Sequence, residues 1–194
     1  MTYPATPTPP PEPRVTWAQT VVTAATTIGL FLLGGAVCAA IWATVVEPPT
    51  YPADLPMFAG QPVPDGQGLG RTFNIDATFL LTSGTAAVVL GVVCGAIFRS
   101  YGIVTVLSVL VGSALAYVTM RYLGTGLGPE TLAAQARGAG AHATLLAPLQ
   151  VQATGVYFAW PIGALTGVMA ALWALAPDPS RRVREAPASR SPLV

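Results

Sequence analysis

The chain has no lysine, a single histidine at His142 and two cysteines, and charged residues make up only 9% of its 194 positions. Soluble globular proteins carry about 25% Asp, Glu, Lys and Arg, so too few charges are present to solvate a surface of this size. Lipid is expected to cover much of it. The nine positive residues are all Arg and the net charge is only +1. They are scattered and form no basic face with interleaved aromatics, which leaves no electrostatic footprint for nucleic acid. The lack of lysine, whose codons are AT-rich, points to a GC-rich bacterial genome and so to a bacterial plasma membrane.

What is present is apolar: 53% hydrophobic residues and a mean hydropathy of +0.60. Four runs, about 21–46, 77–98, 103–122 and 156–175, are long enough to cross a hydrocarbon layer of about 30 Å. The first run is far too long for a signal peptide, whose apolar region is about 7 to 15 residues. Within hydrocarbon a helix satisfies its own backbone polar groups without closing a barrel. The expected fold is therefore an all-α membrane protein with four transmembrane helices in an antiparallel bundle. Residues 17–176 would form it, between a disordered Pro-rich cytoplasmic arm (1–16) and a disordered Arg-rich cytoplasmic tail (177–194).

Arg residues near span ends favour the cytoplasmic side. Arg14, Arg99, Arg181, Arg182, Arg184 and Arg190 fall on one side of the four runs. The other side has Arg71, Arg121 and Arg137 with Glu47, Asp54, Asp65, Asp76 and Glu130. Both termini are thus expected in the cytoplasm and the two long loops outside. Rings favour the interface, so Trp17, Tyr101 and Trp173 are expected at the inner boundary. Trp42, Tyr51, Tyr122, Tyr157 and Trp160 are expected at the outer one. Arg99-Ser100-Tyr101-Gly102 is short enough to make the second and third helices antiparallel neighbours. In the first outer loop Pro64-Asp65-Gly66 predicts a turn before an extended stretch from Arg71 to Ile75. In the second, Gly128-Pro129-Glu130 predicts a short helix to Arg137. Cys38 and Cys94 are expected roughly 12 Å apart in depth, beyond disulfide reach, as buried small apolar residues.

The strongest positional pattern is small residues four apart: Gly35, Ala39 and Ala43; Gly91 and Gly95; Gly112 and Ala116; Gly163, Gly167 and Ala171. Such rows let helix backbones approach closely in lipid, within the bundle or against a partner. Thr78, Thr82 and Thr85 share one face of the second helix, as do Thr105 and Ser108 in the third. They are expected to bond a neighbouring helix or their own backbone, and could alternatively line a polar path. Ion-coupled transporters hold ionisable groups at membrane depth. None is expected in the interior of a span here, Arg121 being assigned to the outer side. Gly124, Gly126 and Gly128 lack the strand and Gly-Lys-Ser/Thr context of a phosphate loop and are expected to end the third helix. The outer carboxylates and His142 match no metal-ligand spacing, no serine has a nucleophile-elbow context, and no cofactor is implied.

Phe73-Asn74-Ile75-Asp76 before the second span, Arg99-Ser100-Tyr101-Gly102 at the inner turn, Leu123-Gly124 with Leu127-Gly128-Pro129, and Ala159-Trp160-Pro161 resemble an uncharacterised family of actinobacterial four-helix membrane proteins. The resemblance covers roughly Val21 to Ala176 and implies no activity or site residue. The expected function is that of a non-enzymatic accessory or scaffolding subunit of an envelope complex. Its expected partners are the lipid bilayer and a membrane protein or further copies of itself. Alternatives are a small channel or permease for an uncharged or lipidic solute, and an enzyme using the outer carboxylates.

Overall fold

The computed structural model describes residues 16–52, 57–58, 61–62, 66–138 and 144–176. The Pro-rich arm, the Arg-rich tail, Asp54, the Pro64-Asp65 turn and His142 lie outside these residues. The described chain is mostly helical, and four of its helices are long and apolar enough to cross a membrane.

Helix α1 (Trp17–Val45) opens with a capping box. Gln19 N donates to Thr16 Oγ1 at 3.4 Å, and Thr16 N donates to Gln19 Oε1 at 3.0 Å. Two orphan donors of the first turn are thereby satisfied. The helix stops just before Pro48 and Pro49, which cannot continue it.

Helix α2 (Gly66–Ile97) starts well before its apolar run. The stretch from Arg71 to Ile75, expected to be extended, is helical. Ile75 and Phe79, four apart, are both buried, and Trp42 Nε1 donates to the Ile75 carbonyl at 3.2 Å. Residues four apart share a helical face, so packing against α1 overrides the weak propensity of the glycines.

A 3-10 turn (Arg99–Tyr101) reverses the chain, and Gly102 follows at φ 52° and ψ −119°. Side chains rarely adopt that conformation. Thr105 Oγ1 donates back across the turn to the Phe98 carbonyl at 2.7 Å.

Helix α3 (Ile103–Leu127) runs past Tyr122 and contains Gly124 and Gly126, which do not end it. The last long helix, α5 (Ala159–Ala174), has only 16 residues, about 24 Å at 1.5 Å per residue. The five-residue 3-10 segment Thr154–Phe158 precedes it and adds about 10 Å at its larger rise. Pro161 falls in the first turn of α5, where its missing N–H has no intrahelical partner to lose.

Outside these helices, β1 (Thr50–Pro52) pairs antiparallel with β4 (Thr144–Leu146), and the two-residue strands β2 (Met57–Phe58) and β3 (Gln61–Pro62) pair with each other. The short helix α4 (Leu132–Gly138) lies before β4. Its Gln135 side chain donates to the Leu146 carbonyl at 2.7 Å and accepts from Leu146 N at 2.9 Å, acting as one more rung of the ladder. The two long loops are thus joined to each other.

Packing does not follow chain order. The most extensive contacts join α1 to α3 and α2 to α5, whereas α2 and α3, connected by the short turn, touch far less. Phe31 meets Gly112, Gly35 meets Ala116 and Trp42 meets Gly124, so positions rise together along α1 and α3. The same holds for Gly91 with Ala164 and Gly95 with Ala171. Each tight pair therefore runs in one direction.

Candidate functional site

Glycine places backbone against backbone along both tight pairs. A Cβ on Gly35 would lie 2.6 Å from the Ala116 carbonyl oxygen, and one on Gly112 3.1 Å from Phe31 Cβ. In the other pair a Cβ on Gly91 would collide with the Ala164 carbonyl, and one on Gly167 with the Val88 carbonyl. Cβ atoms on Gly95 and Gly163 would lie 3.1 Å from Ala171 Cβ and 2.9 Å from Ala87 Cβ. Ala39, Ala116 and Ala171 are buried, and Ala43 packs on the core from its edge. All ten small residues therefore face other parts of the same chain. The outer faces carry large apolar side chains instead, such as Leu33, Leu81, Val111 and Ile162.

Gly124 belongs with them, although its neighbours in sequence suggest a helix end. Its Cβ would lie 2.6 Å from Trp42 Cε3, so the indole fills the space that a side chain would take. Trp42 and Trp160 are accordingly core residues with no exposed surface and not boundary markers. Trp17, Tyr122 and Trp173 are highly exposed.

From Trp42 a string of edge-to-face rings crosses the molecule. Trp42 of α1 meets Phe79 of α2 at 5.2 Å between centroids, Phe79 meets Tyr117 of α3 at 6.2 Å, and Tyr117 meets Tyr157 at 5.1 Å. Such pairs are worth about 0.5–1.5 kcal/mol beyond their buried area. The string ends on Arg121, one turn beyond Tyr117. Arg121 Nη1 donates to Tyr117 Oη at 2.9 Å and to Tyr157 Oη at 3.0 Å, with its guanidinium carbon 5.7 Å from the Tyr157 ring centroid. Because α3 continues to Leu127, Arg121 is part of the helix body, about 9 Å short of its end.

Beyond Arg121 the C-terminal end of α3 borders an open cavity of about 530 Å³. Arg121, Thr125 and Gly126 form one wall, and Glu130, Leu149 and Val151 contribute from the second loop. A second groove of about 380 Å³, almost wholly apolar, lies on the surface of the α2–α5 pair between Leu80, Val88, Phe158 and Ile162.

The hydroxyl face of α2 turns inward on its own helix. Thr82 Oγ1 donates to the Thr78 and Phe79 carbonyls, Thr78 Oγ1 reaches Asn74 Oδ1 at 3.5 Å, and Thr85 is exposed. In α3, Ser108 Oγ donates to the Val104 carbonyl at 2.7 Å. Among the described residues two buried side-chain polar atoms, Thr27 Oγ1 and Trp160 Nε1, have no hydrogen-bond partner.

Asp76 has a structural task. Its Oδ1 accepts from Gln152 N at 3.1 Å and its Oδ2 from Ala153 N at 3.0 Å, which pins the start of the Thr154–Phe158 turn to α2. Glu130 is exposed. Among the described residues no three His, Cys, Asp or Glu side chains gather in a way that could hold a metal ion. Cys38 and Cys94 are buried, unpaired thiols. Compared with known proteins, the chain matches no family model, no curated protein and no solved structure.

Proposed function

We propose that this chain is a multi-pass protein of a bacterial plasma membrane, with its four long helices inserted as an antiparallel bundle and both ends in the cytoplasm. In this reading it acts by association, as a non-enzymatic accessory or scaffolding subunit of an envelope complex. Kinship with the actinobacterial four-helix proteins belongs to the same proposal.

The observation that carries the reading is the inside-out distribution of side chains. Glycine, alanine and hydroxyl-bearing residues line the closest contacts between helices, around core rings such as Phe31, Trp42 and Phe79, while many Leu, Val and Ile side chains cover the outer faces. In lipid, helices associate by close backbone packing, and apolar side chains facing outward cost nothing. A helix pair packed backbone to backbone, with Thr82 bonded to its own carbonyls, favours a rigid body over a conduit. The joined outer loops then present a fixed surface to a partner.

Purification from the native membrane in gentle detergent, with mass spectrometry of co-purifying proteins, tests the proposal. A partner at stoichiometric yield supports it. A solitary protein that carries an uncharged or lipidic solute across liposomes, with flux reduced by Thr82→Leu, would instead establish the permease reading.

A further inference from the structure

We propose that the cavity at the outer end of α3 binds an amino-phosphate zwitterion, the chemistry of an ethanolamine phosphodiester, with phosphate on Arg121 and ammonium on Glu130. The inference begins with the unused donors of Arg121. A guanidinium has five N–H groups, and the two phenols take only those of Nη1. Nε and Nη2 have no acceptor among the described residues, and together they form the parallel N–H fork that matches two oxygens of a phosphate. The phenols of Tyr117 and Tyr157 hold the group through Nη1, which fixes the plane of this fork.

Glu130 supplies the opposite charge on the same cavity. No ion pair joins it to Arg121, so the two charges border the same space unneutralised by each other. A simple anion would meet the carboxylate, and a simple cation the guanidinium. A zwitterion satisfies both. Leu149 and Val151 add an apolar wall for the carbon portion of a ligand. At about 530 Å³ the space falls within the range of about 300–1,000 Å³ usual for small-molecule sites.

The cavity depends on a missing side chain. Gly126 lies in the α3 helix body, yet apart from its chain neighbours and the helix's own nearby backbone no atom lies within 4 Å of where its Cβ would be. It is therefore not a packing glycine like Gly124, and a larger residue there would project into open space that the ligand needs.

The chemistry has two possible sources: the headgroup of phosphatidylethanolamine in the outer leaflet, or a soluble amino-phosphate. The lipid source rests on the membrane reading above, which fractionation and alkaline extraction test independently. The full chain, purified in detergent, is exposed to phosphatidylethanolamine, to phosphatidylglycerol of the same acyl chains, or to soluble phosphoethanolamine, and retained ligand is counted by native mass spectrometry. Phosphatidylethanolamine is expected to be retained at least tenfold over phosphatidylglycerol. Arg121→Gln should lose that retention, and Glu130→Gln should abolish the preference between the two lipids.

Gly126→Leu fills the cavity without touching the helix pairs and should lose binding while melting as the parent does. It covers the case in which Arg121→Gln does not fold. Retention of soluble phosphoethanolamine matching that of the lipid assigns the soluble source within the same chemistry. Equal retention of both lipids by the parent chain, or unchanged retention by a folded Gly126→Leu, overturns the proposal.

Discussion

Replacing Gly91 by Ala inserts one methyl group where the Ala164 carbonyl already sits. Its Cβ would lie 2.9 Å from Ala164 C and 3.0 Å from Ala164 Cα, whereas carbon atoms rest at about 3.5–4.0 Å. Helix α5 must therefore withdraw by about 0.5–1 Å, a gap that forfeits a quarter to a half of the attraction across the contact. Overpacking of this kind costs about 1–3 kcal/mol. The higher helix propensity of Ala returns roughly 0.5–1 kcal/mol, leaving a net loss between about 0 and 2.5 kcal/mol, centred near 1 kcal/mol. Gly84 provides the control in the same helix, because no atom of another helix lies within 4 Å of its Cβ position. Gly84→Ala should be neutral or stabilising by up to about 1 kcal/mol. Gly167 adds a second check, since its Cβ would lie 3.0 Å from Gly91 Cα. Once Gly91→Ala has separated the helices, Gly167→Ala should cost less than it does alone, by at least about 0.5 kcal/mol. Reversible unfolding in mixed micelles, followed by emission of the buried Trp42 and Trp160, measures the parent, the three single variants and the double variant. Equal stability of the Gly91 and Gly84 variants, or strict additivity of the Gly91 and Gly167 pair, would refute the close packing of α2 on α5.

Gly102→Ala must hold a side chain at φ 52° in a turn with open space around it, so its cost is conformational, about 1–3 kcal/mol. Chemical denaturation should show that loss without any change in oligomer size. Asp76→Ala removes the acceptor for two backbone N–H groups. Amide exchange at Gln152 and Ala153 should accelerate, with about 1–3 kcal/mol lost from global stability; slow exchange in the variant would show that the carboxylate is not their anchor. Thr27→Val deletes a buried hydroxyl that has no partner at nearly constant shape. It should be neutral or stabilising by roughly 1 kcal/mol in the same unfolding assay, and a clear destabilisation would mean that a partner exists.

The four long apolar helices were legible from the chain because each shows in local sequence as an apolar run long enough to cross a hydrocarbon layer. The small residues four apart were equally plain. Their pairing was not, because every span carries such a row and one row is chemically much like another. Only the tertiary structure sets Gly35 on Ala116 and Gly91 on Ala164, joining non-consecutive helices. The same limit hid Gly124 and the Arg121 cluster. Tyr117 and Arg121 are visibly one turn apart, which could have suggested a contact. Tyr157, 36 residues further on, is brought to them only by the way α5 docks on α2. Local sequence thus determined that these segments are long apolar helices, since hydropathy and backbone hydrogen bonding act within each one. Which faces meet, and which charged group the rings hold, was decided by complementarity between surfaces distant in the chain.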